Sequence, residues 1–395
     1  MGEWKEYKLG DLVIGNKGYY GIAAPAVDYD ISKYTYLRIT DINDDGTINK
    51  KGLKSVDDKN ASNYILYPND IVFARTGASV GRSYFYDKKD GVLVYAGFLI
   101  KFSIDPKKVN PKILKYYTHS QPYYDWIQTV DNGATRGNIN AQVYASMPLL
   151  LPKRKEQDKI VSILSSLDDK IDLLYRENKT LEAMAEILFR KWFIEEAKED
   201  WKEGTLDDIL SVKGGTTPST KESKYWNGNI SWTSPKDITT LNGIYLFDTE
   251  RKITKEGLKQ ISSGLLPAGT LLMSSRAPVG VLAYAEIPLA INQGYIAIID
   301  DKGYAKEFIY LWLKANMDMV HSYANGSTFM EISKSAFKSL GLQIPPKYIV
   351  AEFCKGIKPI FEKIKLNELQ IRTINRTRDN ILPKLMSNEI KIDEL

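Results

Sequence analysis

The feature that most constrains this 395-residue chain is that it is written twice. Trp4-Lys-Glu, Leu9 and Asp11-Leu12 return as Trp201-Lys-Glu, Leu206 and Asp208-Ile209. Pro68-Asn-Asp-Ile-Val-Phe and Ala78-Ser-Val-Gly81 return as Pro267-Ala-Gly-Thr-Leu-Leu and Ala277-Pro-Val-Gly280. Asn132-Gly-Ala-Thr135 returns as Asn325-Gly-Ser-Thr328, Leu151-Pro152 as Ile344-Pro345, and Ile187-Leu188 as Ile381-Leu382. The landmarks keep their order at an offset of about 195 residues, so both halves are expected to build one structural plan.

Each half ends in a long apolar stripe. The first runs through Ile160, Leu164, Leu167, Ile171, Leu174, Asn178, Leu181, Ala185, Leu188 and Trp192, stepping alternately by 4 and 3. That average of about 3.5 residues keeps one seam facing a partner helix. No Pro or Gly lies between Pro152 and Ala197, and such a rod would be about 65 Å long. The second stripe reads Phe353, Ile357, Ile360, Ile364, Asn367, Ile371, Ile374, Arg378, Ile381 and Leu385. Pro359 inside it predicts a kink or break near Lys358.

Neither rod can bury its stripe alone, so the two are expected to pair with each other. The first leaves head one for head two, and the second must run back, which makes the pair antiparallel. Placing Asn178 against Asn367 sets Leu174 on Ile371, Leu181 on Ile364, Leu188 on Ile357 and Trp192 on Phe353. A buried Asn pair is a device for choosing register. Leu167 then faces Arg378, whose stem is expected to cover it while the charged head reaches water.

The expected organisation is α+β: two similar heads over 1–151 and 201–345, with long helices over 152–200 and 346–395. Short β-rich runs (Thr35 to Ile39, Ile71 to Ala74, Val92 to Ile100, Thr270 to Ser274, Tyr295 to Ile299) alternate with turn residues and helical pieces such as Pro111 to Tyr117 and Lys306 to Asn316. The single Cys354 excludes an internal disulfide and fits a reducing compartment. The charged N-terminus has no apolar signal core, so the expected location is the cytoplasm, with no membrane span. A net charge of +5 permits nucleic-acid binding through local patches without demanding it. His119, His321 and one Cys leave no zinc-type cluster.

Two loops carry the candidate chemistry. Arg75-Thr76-Gly-Ala-Ser79 and Ser274-Ser275-Arg276-Ala-Pro278 each follow a β-like run and set one Arg among small residues. Small residues admit a close backbone approach, and Arg can fork onto guanine or a phosphate. Arg82, Arg136 and Asn138 extend the first candidate surface, and Thr216, Lys236 and Lys334 the second. Lys33 and Arg38 are weaker phosphate candidates; Tyr225 and Trp226 are read as packing beneath a loop.

At this point the residues resemble a known family. Gly214-Gly-Thr-Thr-Pro218, Tyr225-Trp226, Ser231-Trp-Thr-Ser-Pro-Lys-Asp237, Ser275-Arg-Ala-Pro-Val-Gly280 and Asn292-Gln-Gly294, on the repeated head–helix plan, resemble DNA specificity subunits of type I restriction–modification systems. Arg75-Thr-Gly-Ala-Ser-Val-Gly81 and Asn132-Gly-Ala-Thr135 carry the likeness in the first head. The resemblance implies two target recognition domains on double-stranded DNA, each reading half of a split sequence. It implies no catalysis in this chain and no cofactor of its own. S-adenosylmethionine is expected on modification (methyltransferase) subunits docked to the helices, and ATP and Mg on partners including a motor-nuclease restriction subunit. The outer helix residues Tyr175, Lys179, Ile187 and Phe193 are then expected to be available to the modification subunits.

The competing expectation is a stand-alone Mg-dependent nuclease using Asp70, Asp87 and Lys89, although the second repeat has Gly269 where Asp70 sits. Gly77-Ala-Ser-Val-Gly81-Arg-Ser83 imitates a phosphate loop but is one residue short and has Arg for Lys, so it is read as a turn.

Overall fold

The computed structural model describes residues 4–131, 138–326, 330–387 and 389. The chain divides into two compact units, 1–170 with 374–395, and 171–373.

In the first unit, Lys5–Lys8 pairs antiparallel with Pro148–Leu151 and so ties the start of the head to its exit. One four-stranded sheet orders Tyr19–Tyr20, Leu99–Ser103, Asp70–Ala74 and Ser83–Phe85; the other orders Ala26–Val27, Lys54–Val56, Tyr34–Leu37 and Leu93–Tyr95. Asp70–Ala74 is buried along its whole length, which explains its unbroken apolar run. Its alternate residues serve different clusters. Ile71 and Phe73 join the helical layer with Tyr123, Tyr144, Ile160 and Leu164, while Val72 and Ala74 pack with Leu37, Leu93 and Tyr95 of the second sheet. The expected single strand from Val92 to Ile100 is two strands in different sheets. A tight turn, with Leu99 N–H donating to Ala96 O at 2.8 Å, lets the chain change sheet there.

The second unit repeats the plan. Lys202–Thr205 pairs with Gly341–Ile344. A five-stranded sheet orders Ser211–Lys213, Tyr295–Asp300, Thr270–Ser274, Leu282–Ala285 and Tyr245–Leu246, beside a three-stranded sheet of Arg251–Ile253, Trp226–Thr233 and Leu289–Ile291. Leu271 and Met273 face the helical layer, and Leu272 faces the opposite cluster. Tyr34–Leu37 with Leu93–Tyr95, and Trp226–Thr233 with Leu289–Ile291, are the corresponding parallel pairs.

The first long helix is α-helical over Arg154–Arg190 and closes in a π turn over Lys191–Glu195, where Glu196 N–H reaches Lys191 O at 2.9 Å. The second runs unbroken over Lys347–Met386. The expected break near Pro359 is absent. Pro359 is exposed, while Phe353, Ile357, Phe361 and Ile364 on the opposite side are buried in one cluster. In the second unit, Trp192 meets Phe353 at 5.7 Å between ring centroids, and Leu181, Leu188, Ile357 and Ile364 share a cluster, as the antiparallel arrangement requires. In the first unit, Ile160 and Leu164 share a cluster with Leu382 and Leu385.

Candidate nucleic-acid interface

The two candidate loops are built by the same backbone bonds. At the end of Asp70–Ala74, Ala74 N–H donates to Arg82 O (2.8 Å) and Gly81 N–H to Ala74 O (3.2 Å). In the second unit, Ser274 N–H donates to Val281 O (2.8 Å) and Gly280 N–H to Ser274 O (2.9 Å). Gly81 and Gly280 both take positive φ, +85° and +92°. A Cβ on Gly280 would fall 2.3 Å from the Met317 sulfur, so a larger residue there would also have to displace that side chain.

A second set of bonds fixes the equivalence residue by residue. Arg75 N–H donates to Phe98 O and Ile139 N–H to Arg75 O; Ser275 N–H donates to Gly294 O and Ile332 N–H to Ser275 O. Thr76 bridges Asn138, and Arg276 bridges Glu331. Arg75 therefore occupies the place of Ser275, and Thr76 that of Arg276. The two arginines that look paired in sequence are one position out of step.

Their surroundings differ too. Arg75 donates through Nε and Nη2 to Asn138 Oδ1 (3.2 and 3.1 Å), and its guanidinium lies 4.9 Å from the Tyr20 ring. Tyr20 is pinned in turn, because its hydroxyl accepts Ala141 N–H at 3.1 Å. Phe98, beside this group, is 60% exposed. Arg276 sits 3.8 Å from the Glu331 carboxylate. Ser275 is buried, and its hydroxyl has no partner among the described residues.

The remaining candidates are placed as follows. Arg82 is taken up by Asp44 (2.6 Å) and by Ile42 O (3.2 Å), and Ser79 is buried within the turn. Thr216 donates its hydroxyl to Gln260 O and accepts Ser262 N–H, which fixes the Gly214–Pro218 loop internally. Lys236 pairs with Glu250 at 2.8 Å. Lys334 opens the short helix Lys334–Lys338, which Ser333 caps, and its ammonium lies over Gly214. Lys33 pairs with Asp57, and Arg38 forks onto Asp41. Arg136 and the Asn132-Gly-Ala-Thr135 motif lie outside the described residues. Trp226 is buried edge-on to Trp232, with the Arg251 guanidinium 3.5 Å from its ring. Tyr20, Phe98 and Glu331 escaped the sequence reading. They reach the loops across sheet and bridge contacts that carry no local signal.

Tyr175 and Phe193 are half-buried, and Lys179 and Ile187 are exposed. The π turn tucks Phe193 against Phe308 and Phe353, both 4.9 Å away, and against Trp201. Arg378 is half-buried, and its guanidinium pairs with Asp168 (3.2 Å) and with the exposed Asp379.

The carboxylates of the nuclease reading are engaged elsewhere. Asp70 is buried, with Lys101 at 3.2 Å, and accepts from Ser103 Oγ and Tyr67 N–H. Asp87 caps the following turn by accepting Lys89 N–H. Burial pushes the Cys354 thiol up to about 12, far from a thiolate nucleophile. His119 is held by burial below its ordinary pKa, with Nδ1 at 2.8 Å from Lys115 O. No described helix is long and apolar enough to cross a membrane.

Comparison with known proteins gives a consistent answer. The family described as type I restriction modification DNA specificity domain matches the chain twice, over residues 1–183 and 198–376. The type I restriction enzyme HindI specificity subunit of Haemophilus influenzae is 23% identical over 99% of this chain and 100% of that protein. The MjaIX specificity subunit of Methanocaldococcus jannaschii is 38% identical, but over 40% of this chain and 37% of that one. The EcoR124I/EcoR124II specificity subunit of Escherichia coli is 30% identical over 51% of each. The crystal structure of a type I restriction–modification S subunit from M. genitalium shares the fold, with a TM-score of 0.57 at 17% identity over 97% of this chain and 96% of that one.

Proposed function

We propose, on the premise that this chain belongs to the type I restriction modification DNA specificity family, that it chooses the DNA sequence for a multisubunit enzyme whose catalysis lies in other chains. Each head reads one half of a bipartite duplex target. The two long helices set the spacing between the halves and dock modification subunits through outward residues such as Tyr175, Lys179 and Ile187. S-adenosylmethionine, and ATP with Mg²⁺, belong to the modification and restriction subunits.

One observation carries this reading: the same strand-end loop, pinned by the same backbone bonds, occurs once in each head with its own arginine. A duplicated scaffold with altered contact residues suits a ligand whose two halves have one backbone geometry and different sequences. Base contacts then come from side chains such as Arg75 and Arg276, and register comes from cations that find phosphates. Arg82 and Lys236 already hold carboxylates, so each contributes to DNA only by surrendering an ion pair. Lys334 has no carboxylate partner among the described ion pairs. Lys334→Ala should lower the salt slope of DNA binding by about 1 while leaving the target unchanged.

The decisive experiment maps methylated adenines in cells expressing this chain with its modification partner. The expected result is one bipartite motif, of which a single half changes when residues 201–345 are exchanged for those of a relative with another target. A contiguous motif, or both halves changing together, would overturn the reading.

A further inference from the structure

We infer that Arg75 reads a guanine in the half-site of the first head, and that Asn138 is its positioning residue rather than a second base reader. This deepens the proposed function and rests on it.

Arginine has donors and no acceptor, so the Asn138 amide must turn its oxygen toward Nε and Nη2, where it sits at 3.2 and 3.1 Å. That consumes one edge of the fork and leaves the Nη1–Nη2 edge, whose two parallel N–H groups match O6 and N7 of guanine. The Tyr20 ring at 4.9 Å fixes the plane, and Tyr20 is itself held by Ala141 N–H. No carboxylate pairs with Arg75 among the described residues, in contrast to Arg38, Arg82 and Arg276. Phosphate oxygens can be met from many directions, whereas O6 and N7 of guanine present their acceptors in one plane. Orienting a guanidinium from two sides and leaving its charge unquenched is the arrangement a planar, bidentate partner requires.

Asn138 then has no acceptor left for an adenine, which needs the amide oxygen and nitrogen together. The second head cannot repeat the contact. Ser275 stands in the place of Arg75, and Arg276 lies one residue on, beside Glu331. The guanine contact is therefore a property of the first half-site alone.

The test uses the assembled complex and its methylation map. Wild type must first yield a bipartite motif; failure there would defeat the proposed function, not this inference. Given that motif, Arg75→Ala and Arg75→Gln should each relax a single G·C position in one half by about ten- to a hundredfold. The other half should stay unchanged. Asn138→Ala should relax the same position more weakly, and the double variant should match Arg75→Ala, because the two residues act as a unit. Unchanged preference at every position in both Arg75 variants would overturn the inference. So would a uniform loss of methylation with no position relaxed, the signature of a phosphate contact. Relaxation of a different base by Asn138→Ala would overturn its positioning role.

Discussion

Asn367 donates its side-chain N–H to Asn178 Oδ1 at 2.8 Å, where the two long helices meet in the second unit. Both residues are nearly sealed from solvent, at 1% and 4% exposure. Asn367 is also bonded to Glu177 at 3.0 Å, whereas Asn178 Nδ2 is buried without a partner among the described residues. An apolar seam slipped by a heptad would bury these amides against hydrocarbon, so the pair resists slippage at some cost in stability.

Replacing one partner and replacing both should therefore have opposite effects. Asn367→Leu leaves the Asn178 amide buried and unbonded and should cost about 1–3 kcal/mol. The double replacement by Leu should be neutral or stabilising relative to wild type, because no orphaned amide remains. Denaturant unfolding of all three variants measures the difference. A double variant less stable than Asn367→Leu would refute the argument.

A second prediction concerns pH. Glu368 of the second long helix accepts the backbone N–H groups of Ile244 (2.8 Å) and Tyr245 (3.1 Å), and so holds the edge strand Tyr245–Leu246. The fit is close: a Cβ on Gly243 would lie 2.5 Å from the carboxyl carbon. Burial pushes the carboxyl up to about 7; the two backbone donors pull it down, and Glu182 and Glu286 push it up. Lys365 pairs with Glu286, and Arg372 reaches Asp248 at 3.6 Å, so cations also flank this contact. A carboxyl raised from 4.5 to about 7 contributes stability that is fully present below about pH 4.5 and lost as pH rises through about 7. The loss should amount to about 3 kcal/mol. Glu368→Gln should flatten that window while losing one accepted N–H. A wild-type midpoint that does not fall between pH 5 and 8 would contradict the assignment.

The third prediction concerns the first unit, where one carboxylate joins three elements. Asp168 of the first long helix pairs with Lys115 of the head and with Arg378 of the second long helix, and it accepts the Tyr116 hydroxyl at 3.0 Å. Burial pushes its pKa up, but Lys115 and Arg378 together outweigh burial and hold it below the ordinary value. Asp168→Ala leaves two half-buried cations facing each other and should cost about 3 kcal/mol. Its own contribution is present above the ordinary pKa near 4 and is lost as pH falls through the lowered value. Urea unfolding of Asp168→Ala at pH 7 checks the first statement, and a titration of wild-type stability from pH 5 to 3 checks the second.

Much of the architecture was legible because it depends on period and order. The 4–3 stripes placed both long helices, the Asn178–Asn367 contact and the Trp192–Phe353 contact, since a seam of fixed period admits few registers. The duplication placed two α+β heads, and the runs at Ile71 and Thr270 became buried strands because both of their faces are covered. The helix continues past Pro359 with the proline on an exposed position, which the sequence position alone does not indicate. The π turn that sets Phe193 beside Phe308 and Phe353 is a local change that no seven-residue repeat encodes.

The site was legible only as a pair of loops. From sequence, Arg75 and Arg276 look like counterparts; the backbone bonds set Arg75 against Ser275 instead. Local sequence alone determined the repeat, the helix seams and the presence of one arginine in each strand-end loop, because turn chemistry and periodicity act over a few residues. Tertiary structure decided which arginine is held by an amide and a ring and which stands beside a carboxylate. Asn138 reaches Arg75 across 63 positions, and Tyr20 and Glu331 meet their arginines over similar distances along the chain. Contacts of that range exist only once the sheets have closed.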